Sequence, residues 1–296
     1  GDFGPAALKA VRQKMIERNL CRKVINGRIN RIRRMFKWGV ENQLVDPLVL
    51  QALQAVAPLK RGRCEARETE PVKPVPQDCV DAVLQHVPSQ VTAMIRLQLL
   101  TGMRPGEVVI MRGCDIDTTG KLWVYRPSCH KTEHHGKERA VYFGPAARDI
   151  VAAHLKPDLK AFLFSPKNAM AERHAACPTH RRIPSRTPMT SRRLKDHYTT
   201  TSYARAITYG CDTAFPPPKQ LLDVQVVPKQ ESALKRWHKD HRWHPNQLRH
   251  NAATFLRKQY GLDAARVILG HSSPAVTEIY AELDHAKAMQ IMAEVG

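Results

Sequence analysis

The sequence predicts a mainly α-helical protein with a small antiparallel β-sheet, divided into two domains. Three observations carry that prediction. Apolar residues recur at helical spacing over residues 5–43 and again from residue 78. Two strand-like runs, "KLWVYRP" and "RAVYFG", flank the turn-rich "SCHKTEHHGKE". Between the helical regions, "APLKRGRCEARETEPVKPVPQ" at residues 57–77 is charged, proline-rich and without apolar periodicity, as in an interdomain linker. The expected division is 1–60 for a helical domain, 61–77 for the linker and 78–296 for a larger domain with a C-terminal tail helix.

In chain order, Leu8, Val11 and Met15 place a helix over 5–19. Ile25, Ile29, Ile32, Phe36 and Val40 place a second over 22–43, with Arg28, Arg31, Arg33, Arg34 and Lys37 around the stripe. That basic set reads equally as a solvated face or as a helix lying along phosphates. A short helix is expected at 46–56. "QDCVDAVLQHV" and "VTAMIRLQLL" are helical, and "RPGEVVIMRG" opens another with Pro105 in its first turn. Helix returns at about 146–155, and "SYARAITYGC" is helical, but most of 165–235 carries no readable pattern. "HPNQLRHNAATFLRKQ" puts Leu248, Ala252, Phe255 and Leu256 on one face. "GLDAARVILGH" is a shorter helix stopping at Gly270. "SSPAVTEIYAEL" starts another, with Pro274 in its first turn.

Lys plus Arg number 47 against 27 Asp plus Glu, a net charge of +20. A field of that size implies a polyanion, and nucleic acid is the polyanion expected of a chain without a membrane anchor. No apolar run reaches the ~18–20 residues that span a bilayer, and the first residues lack a signal-peptide apolar region. The seven cysteines are scattered and never in CxxC spacing, which argues against a disulfide framework or a structural zinc site. No metal or cofactor is expected, and the cytoplasm, in association with the nucleoid, is the expected location.

Four stretches in order, "LLTGMRPGEVVIMRGCDID", "HKTEHHGKERAVYFGP", "QLRH" and "LGHSSPAVTEIY", together resemble the tyrosine recombinase (phage integrase) family. The resemblance is strong over 78–284 and looser over the N-terminal helices. It implies a core-binding (SAM-like) domain short of its first helix or two. A catalytic domain follows, and the pair forms a C-shaped clamp on duplex DNA. It implies site-specific cleavage and rejoining of DNA through a 3′-phosphotyrosyl intermediate. Arg104 and Arg249 match the two family arginines, whose guanidiniums suit a phosphate. Lys131 matches the hairpin lysine as general acid, with Lys137 a competitor for the position. His271 matches a histidine that hydrogen-bonds the phosphate, Tyr280 matches the nucleophile, and Glu107 matches an acidic residue that orients Arg104 or a neighbouring basic group. Asn246 occupies a position where the family has histidine. Asparagine donates a hydrogen bond but accepts no proton at neutral pH. His244 is the nearby alternative. Tyr198, Tyr203 and Tyr209 are alternative nucleophiles only in another register.

Arg28, Arg31, Arg34 and Lys37 are the expected DNA contacts of the first domain. The family acts as a homotetramer on two DNA sites, in some systems with an accessory DNA-bending factor. The tail "AELDHAKAMQIMAEVG" fits packing in cis or on a neighbouring subunit. Two other functions compete: a catalytically impaired DNA-binding protein, favoured by Asn246, and a topoisomerase-like relaxing enzyme with the same chemistry.

Overall fold

The computed structural model describes residues 3–130, 138–176, 195–221 and 228–270. The chain divides into two compact units, Gly1–Val72 and Lys73–Gly296.

In the first unit, helices α1 (Pro5–Glu17), α2 (Arg22–Glu41) and α3 (Pro47–Gln54) form in the expected places. Pro5 and Pro47 stand at first-turn positions, where no amide hydrogen is needed. Asp46 caps α3 by accepting from the Leu48 amide at 2.7 Å. Leu8, Ile25, Ile29 and Leu53 meet in a small core, joined by Val56 and Ala66. Arg33 turns inward and closes the other end of α3, donating from Nε to the Leu53 carbonyl at 3.1 Å and from Nη2 to that of Val56.

Contacts of the stretch expected as a linker divide between the units. Asn26 exchanges two hydrogen bonds of 3.0 Å with the Leu59 backbone, Cys21 bridges to Arg67, and Arg22 pairs with Glu68. Farther on, Val75 is buried in the second unit, its amide and carbonyl both bonded to the Asn251 side chain. Apolar periodicity could not mark these contacts, because isolated polar side chains and single apolar residues make them.

The second unit is built around α5 (Ser89–Thr101), which follows α4 (Gln77–Leu84). Val91, Met94, Ile95 and Leu97 of α5 are buried on several sides, as suits a central helix. Gly102 ends it in the left-handed region at φ 64°. A side chain there would meet Leu269 Cδ2 at 2.3 Å, so glycine is required by both conformation and space. Short α6 (Pro105–Val109) comes next. It stops well before the expected end, because the chain turns at Gly113–Asp115 into the sheet. Strands β1 (Ile116–Asp117), β2 (Trp123–Tyr125) and β3 (Val141–Phe143) pair antiparallel in that order, with Ile116 opposite Tyr125 and Trp123 opposite Phe143.

Helices α7 (Pro145–Ala152), α8 (Pro166–Ala176), α9 (Thr200–Ala214), α10 (Pro228–His241) and α11 (Pro245–Leu269) complete the described fold. α11 is two helices merged across a kink at Gly261, φ 85°, where the sequence places a break. Gly270 stops it in the left-handed conformation at φ 64°. None of the described helices is long and apolar enough to cross a membrane.

Candidate active site

Glu107 is the centre of the site. It is 2% exposed, on a helix whose first turn it closes by accepting from the Arg104 amide at 2.9 Å. Its other oxygen takes the Arg104 Nη1 at 2.6 Å. Arg139, 6% exposed, faces the same carboxylate, with Nη2 and Nε each 3.5 Å from an oxygen. The Tyr125 hydroxyl, fully buried under the sheet, donates to the Glu107 backbone carbonyl at 2.7 Å. Burial pushes the Glu107 carboxyl upward, but Arg139 and Arg104 outweigh it and hold the group below its ordinary value. Burial presses the Arg139 guanidinium in the opposite sense, and Glu107 opposes that.

Arg249 enters from the other side. It is 3% exposed on α11 and donates from Nη1 to the Gly102 carbonyl at 2.6 Å and from Nη2 to the Leu269 carbonyl at 2.7 Å. These are end-of-helix carbonyls, the last of α5 and α11, which lack a partner within their own helices. Arg139 takes the neighbouring one, Ile268, from Nη1 at 3.0 Å. Arg104, Glu107 and Arg139 thus form one bonded group, and Arg249 is anchored beside it on the carbonyls of Gly102, two residues before Arg104, and Leu269, next to the Ile268 carbonyl that Arg139 takes. Among the described residues three arginines and one carboxylate meet here, a set that suits an anion.

The structure therefore brings together Arg104, Glu107 and Arg249. Asn246 and His244 stand at the start of α11, both exposed, His244 as the cap and Asn246 in the first turn, three residues before Arg249. The His244 amide donates to the Gln247 side chain at 2.9 Å. Half-buried His250, beside Arg249, is held below the ordinary imidazole value by burial first and by that charge second. Lys131, His271 and Tyr280 lie outside the described residues. Tyr203 is fully buried with its hydroxyl donating to Gln98 Oε1 at 2.9 Å, and Tyr198 is buried with its phenol pushed up to about 12. Both are poor nucleophiles there, whereas Tyr209 is exposed. In the first unit Arg28, Arg31, Arg34 and Lys37 are all exposed along α2, with Lys37 3.5 Å from Glu41. Among the described residues no cluster of three or more His, Cys, Asp or Glu offers a metal site.

Arg139 is the residue that sequence reasoning missed. A lone arginine before a strand has no periodicity to mark it. The one available signal was Glu107 itself: a carboxylate destined for burial calls for more cation than a single half-exposed arginine supplies.

The profile of the phage integrase family matches residues 75–287. The chain belongs to the phage integrase family. Among solved structures, the Tn1549 transposon integrase (residues 82–397) in complex with circular intermediate DNA is similar with a TM-score of 0.60 at 16% identity, covering 99% of this chain and 86% of that one. A lambda integrase (75–356) dimer bound to a COC′ core site gives 0.55 at 13% identity, over 94% and 80% of the two chains. At such identities the likeness is one of fold, and the phage integrase fold accounts for the helical unit with its three-stranded sheet. Among curated protein sequences, none matches the chain.

Proposed function

We propose that this member of the phage integrase family is a site-specific DNA recombinase. In this reading it cleaves and rejoins duplex DNA through a covalent bond between Tyr280 and a 3′-phosphate. The observation that carries the reading is the set of arginines around Glu107 and the end of α11, positive side chains held by fixed partners before any substrate arrives. Such fixed charge stabilises a phosphate transition state without reorganisation at the moment of reaction.

The Tyr280 oxygen attacks phosphorus and the bond to the 5′-oxygen breaks. Lys131 gives that oxygen a proton, and Arg104, Arg249 and His271 stabilise the non-bridging oxygens. The reverse attack by a 5′-hydroxyl from the partner duplex releases tyrosine and restores the phosphodiester, so bond energy is conserved and no nucleotide cofactor is consumed. Asn246 supplies a hydrogen bond, and the tyrosine proton leaves to water or to a base other than Asn246. The N-terminal unit acts as the core-binding domain through Arg28, Arg31, Arg34 and Lys37. Four copies assemble on two duplexes of the nucleoid, with an accessory DNA-bending factor where the site requires one.

The experiment is covalent trapping. The protein is incubated with nicked duplexes of random sequence, denatured in detergent and examined for protein–DNA adducts beside Tyr280→Phe. The reading expects adducts that vanish in Tyr280→Phe while DNA binding persists. Equal adduct yields in the two proteins overturn it. DNA binding without any adduct favours the impaired DNA-binding protein suggested by Asn246.

A further inference from the structure

We infer that Arg139 is a positioning residue of the integrase site: it joins Glu107 to the end of α11 and so sets where Arg104 and Gly270 stand. This rests on the recombinase reading above, since it assigns that site a further part. Three contacts carry it. Nη2 and Nε face the Glu107 carboxylate at 3.5 Å. Nη1 donates to the Ile268 carbonyl at 3.0 Å and to the Ala140 carbonyl at 3.1 Å. The guanidinium also lies directly against Gly270: a side chain there would come within 2.9 Å of Nη1 and 3.5 Å of Cζ.

The placement in sequence gives these contacts their meaning. Arg139 stands eight residues after Lys131, Glu107 three after Arg104, Ile268 three before His271 and Gly270 directly before it. One buried side chain thus joins its own segment to two others, and each of the three leads in sequence to a proposed reacting group. A planar guanidinium with five donors spans a carboxylate and a carbonyl at once, which a single ammonium at this position does not. The charge matters as well. Groups facing Glu107 are Arg104 at the start of α6, Arg139 before β3, and the Tyr125 hydroxyl on its backbone, with Arg249 of α11 on the carbonyl of Gly102. Without Arg139, the carboxylate keeps Arg104 as its one close counter-ion among the described residues and draws it inward.

The test compares Arg139→Met, which keeps bulk, with Arg139→Lys, which keeps charge. Three readings are taken on each: single-turnover cleavage of a nicked duplex, hydrogen exchange at the Gly270 amide, and the Glu107 carboxyl titration by carbon NMR. Arg139→Met is expected to cleave roughly 10–100-fold more slowly, the scale of a misplaced reacting group, with DNA affinity within about twofold. Its Gly270 amide should exchange at least about tenfold faster as α11 frays, and its Glu107 should titrate at least about one unit higher. Arg139→Lys should restore the titration but not the exchange. If exchange and titration stay as in the parent protein, or if both variants cleave at the parent rate, the positioning role is wrong. A cleavage loss matched by an equal loss of DNA binding and melting temperature makes Arg139 a fold-holding residue only. If the parent protein forms no adduct, the recombinase reading fails, and exchange and titration still decide the role of Arg139. Should Arg139→Met not fold, the split between titration and exchange in Arg139→Lys decides it.

Discussion

Replacing Glu107 by glutamine removes one charge from the centre of the network, and the structure sets the size of the effect. The Glu107 and Arg139 side chains are 3% and 4% exposed, so neither can turn to water. Breaking a buried ion pair by deleting one partner costs about 3–5 kcal/mol, because the other charge is left in the core. Arg104 is 23% exposed and can reach solvent, so its loss adds only about 1 kcal/mol, one ordinary hydrogen bond. The glutamine carbonyl still accepts from one donor and returns a similar amount. The net is about 4 kcal/mol, or a fall of about 10 °C in melting temperature for a unit of this size. The assay is thermal unfolding by circular dichroism at neutral pH, with Asp212→Asn beside it. Arg242 and Asp212 form a shorter pair, 2.7 Å, but are each 33% exposed, so that loss should cost about 1 kcal/mol or less. The pH dependence follows from the direction of the Glu107 shift. Its folded value is lowered, so its stabilisation is present above the unfolded value of about 4.3 and is lost as pH falls through the folded value. The gap between the parent and Glu107→Gln should therefore begin to narrow below about pH 4.3 and go on narrowing until the pH lies below the folded value. A Glu107→Gln melt within about 2 °C of the parent at neutral pH would refute the reasoning.

Three further outcomes are expected. Gly102→Ala forces a side chain into the left-handed region and against Leu269, at a cost of roughly 2–4 kcal/mol; urea unfolding reads it, and an unchanged midpoint contradicts the Gly102 geometry. Alanine at Arg28, Arg31, Arg34 and Lys37 together should flatten the salt dependence of DNA binding by about 0.9 in log–log slope per lost phosphate contact. A slope equal to the parent's between low and moderate salt would make this set a solvated face. Asn246→His should raise the neutral-pH cleavage rate by about tenfold or more, the low end for proton transfer by a placed base being higher still. At this exposed position it should change stability by less than about 0.5 kcal/mol. An unaltered rate would show that the tyrosine proton does not leave through this position.

What the sequence made legible follows the physics of each element. The stripe of α2, Pro105 in the first turn of α6, the break at Gly261 and the stop at Gly270 all rest on local chemistry, and local chemistry is visible in sequence. β2 and β3 were legible because aromatic and β-branched residues cluster there. β1 was not, since two residues carry no alternation. α8 and α10 were missed for a different reason. "PKNAMAERHAA" and "PKQESALKRWHKDH" hold too few large apolar residues for a stripe, so intrinsic propensity and a few contacts such as Trp237 on the Phe215 carbonyl define them. In the site, Arg104, Glu107 and Arg249 were found through motif order. Arg139 was not, because its partners Glu107 and Ile268 are 32 and 129 residues away.

The same surroundings also account for the burial of Arg249. An arginine held on two end-of-helix carbonyls contributes to folding before it meets any phosphate. Its cost of leaving water is met once, in the folded protein, and not again at each turnover. The carbonyls of Gly102, Ile268 and Leu269 lie at the negative ends of α5 and α11, where cations are favoured. Asn246 sits exposed in the first turn of α11, three residues before Arg249, at the helix end where negative charge is favoured. On this reasoning a neutral donor at position 246 still fits a phosphate-binding surface, and what histidine would add there is proton transfer, not affinity.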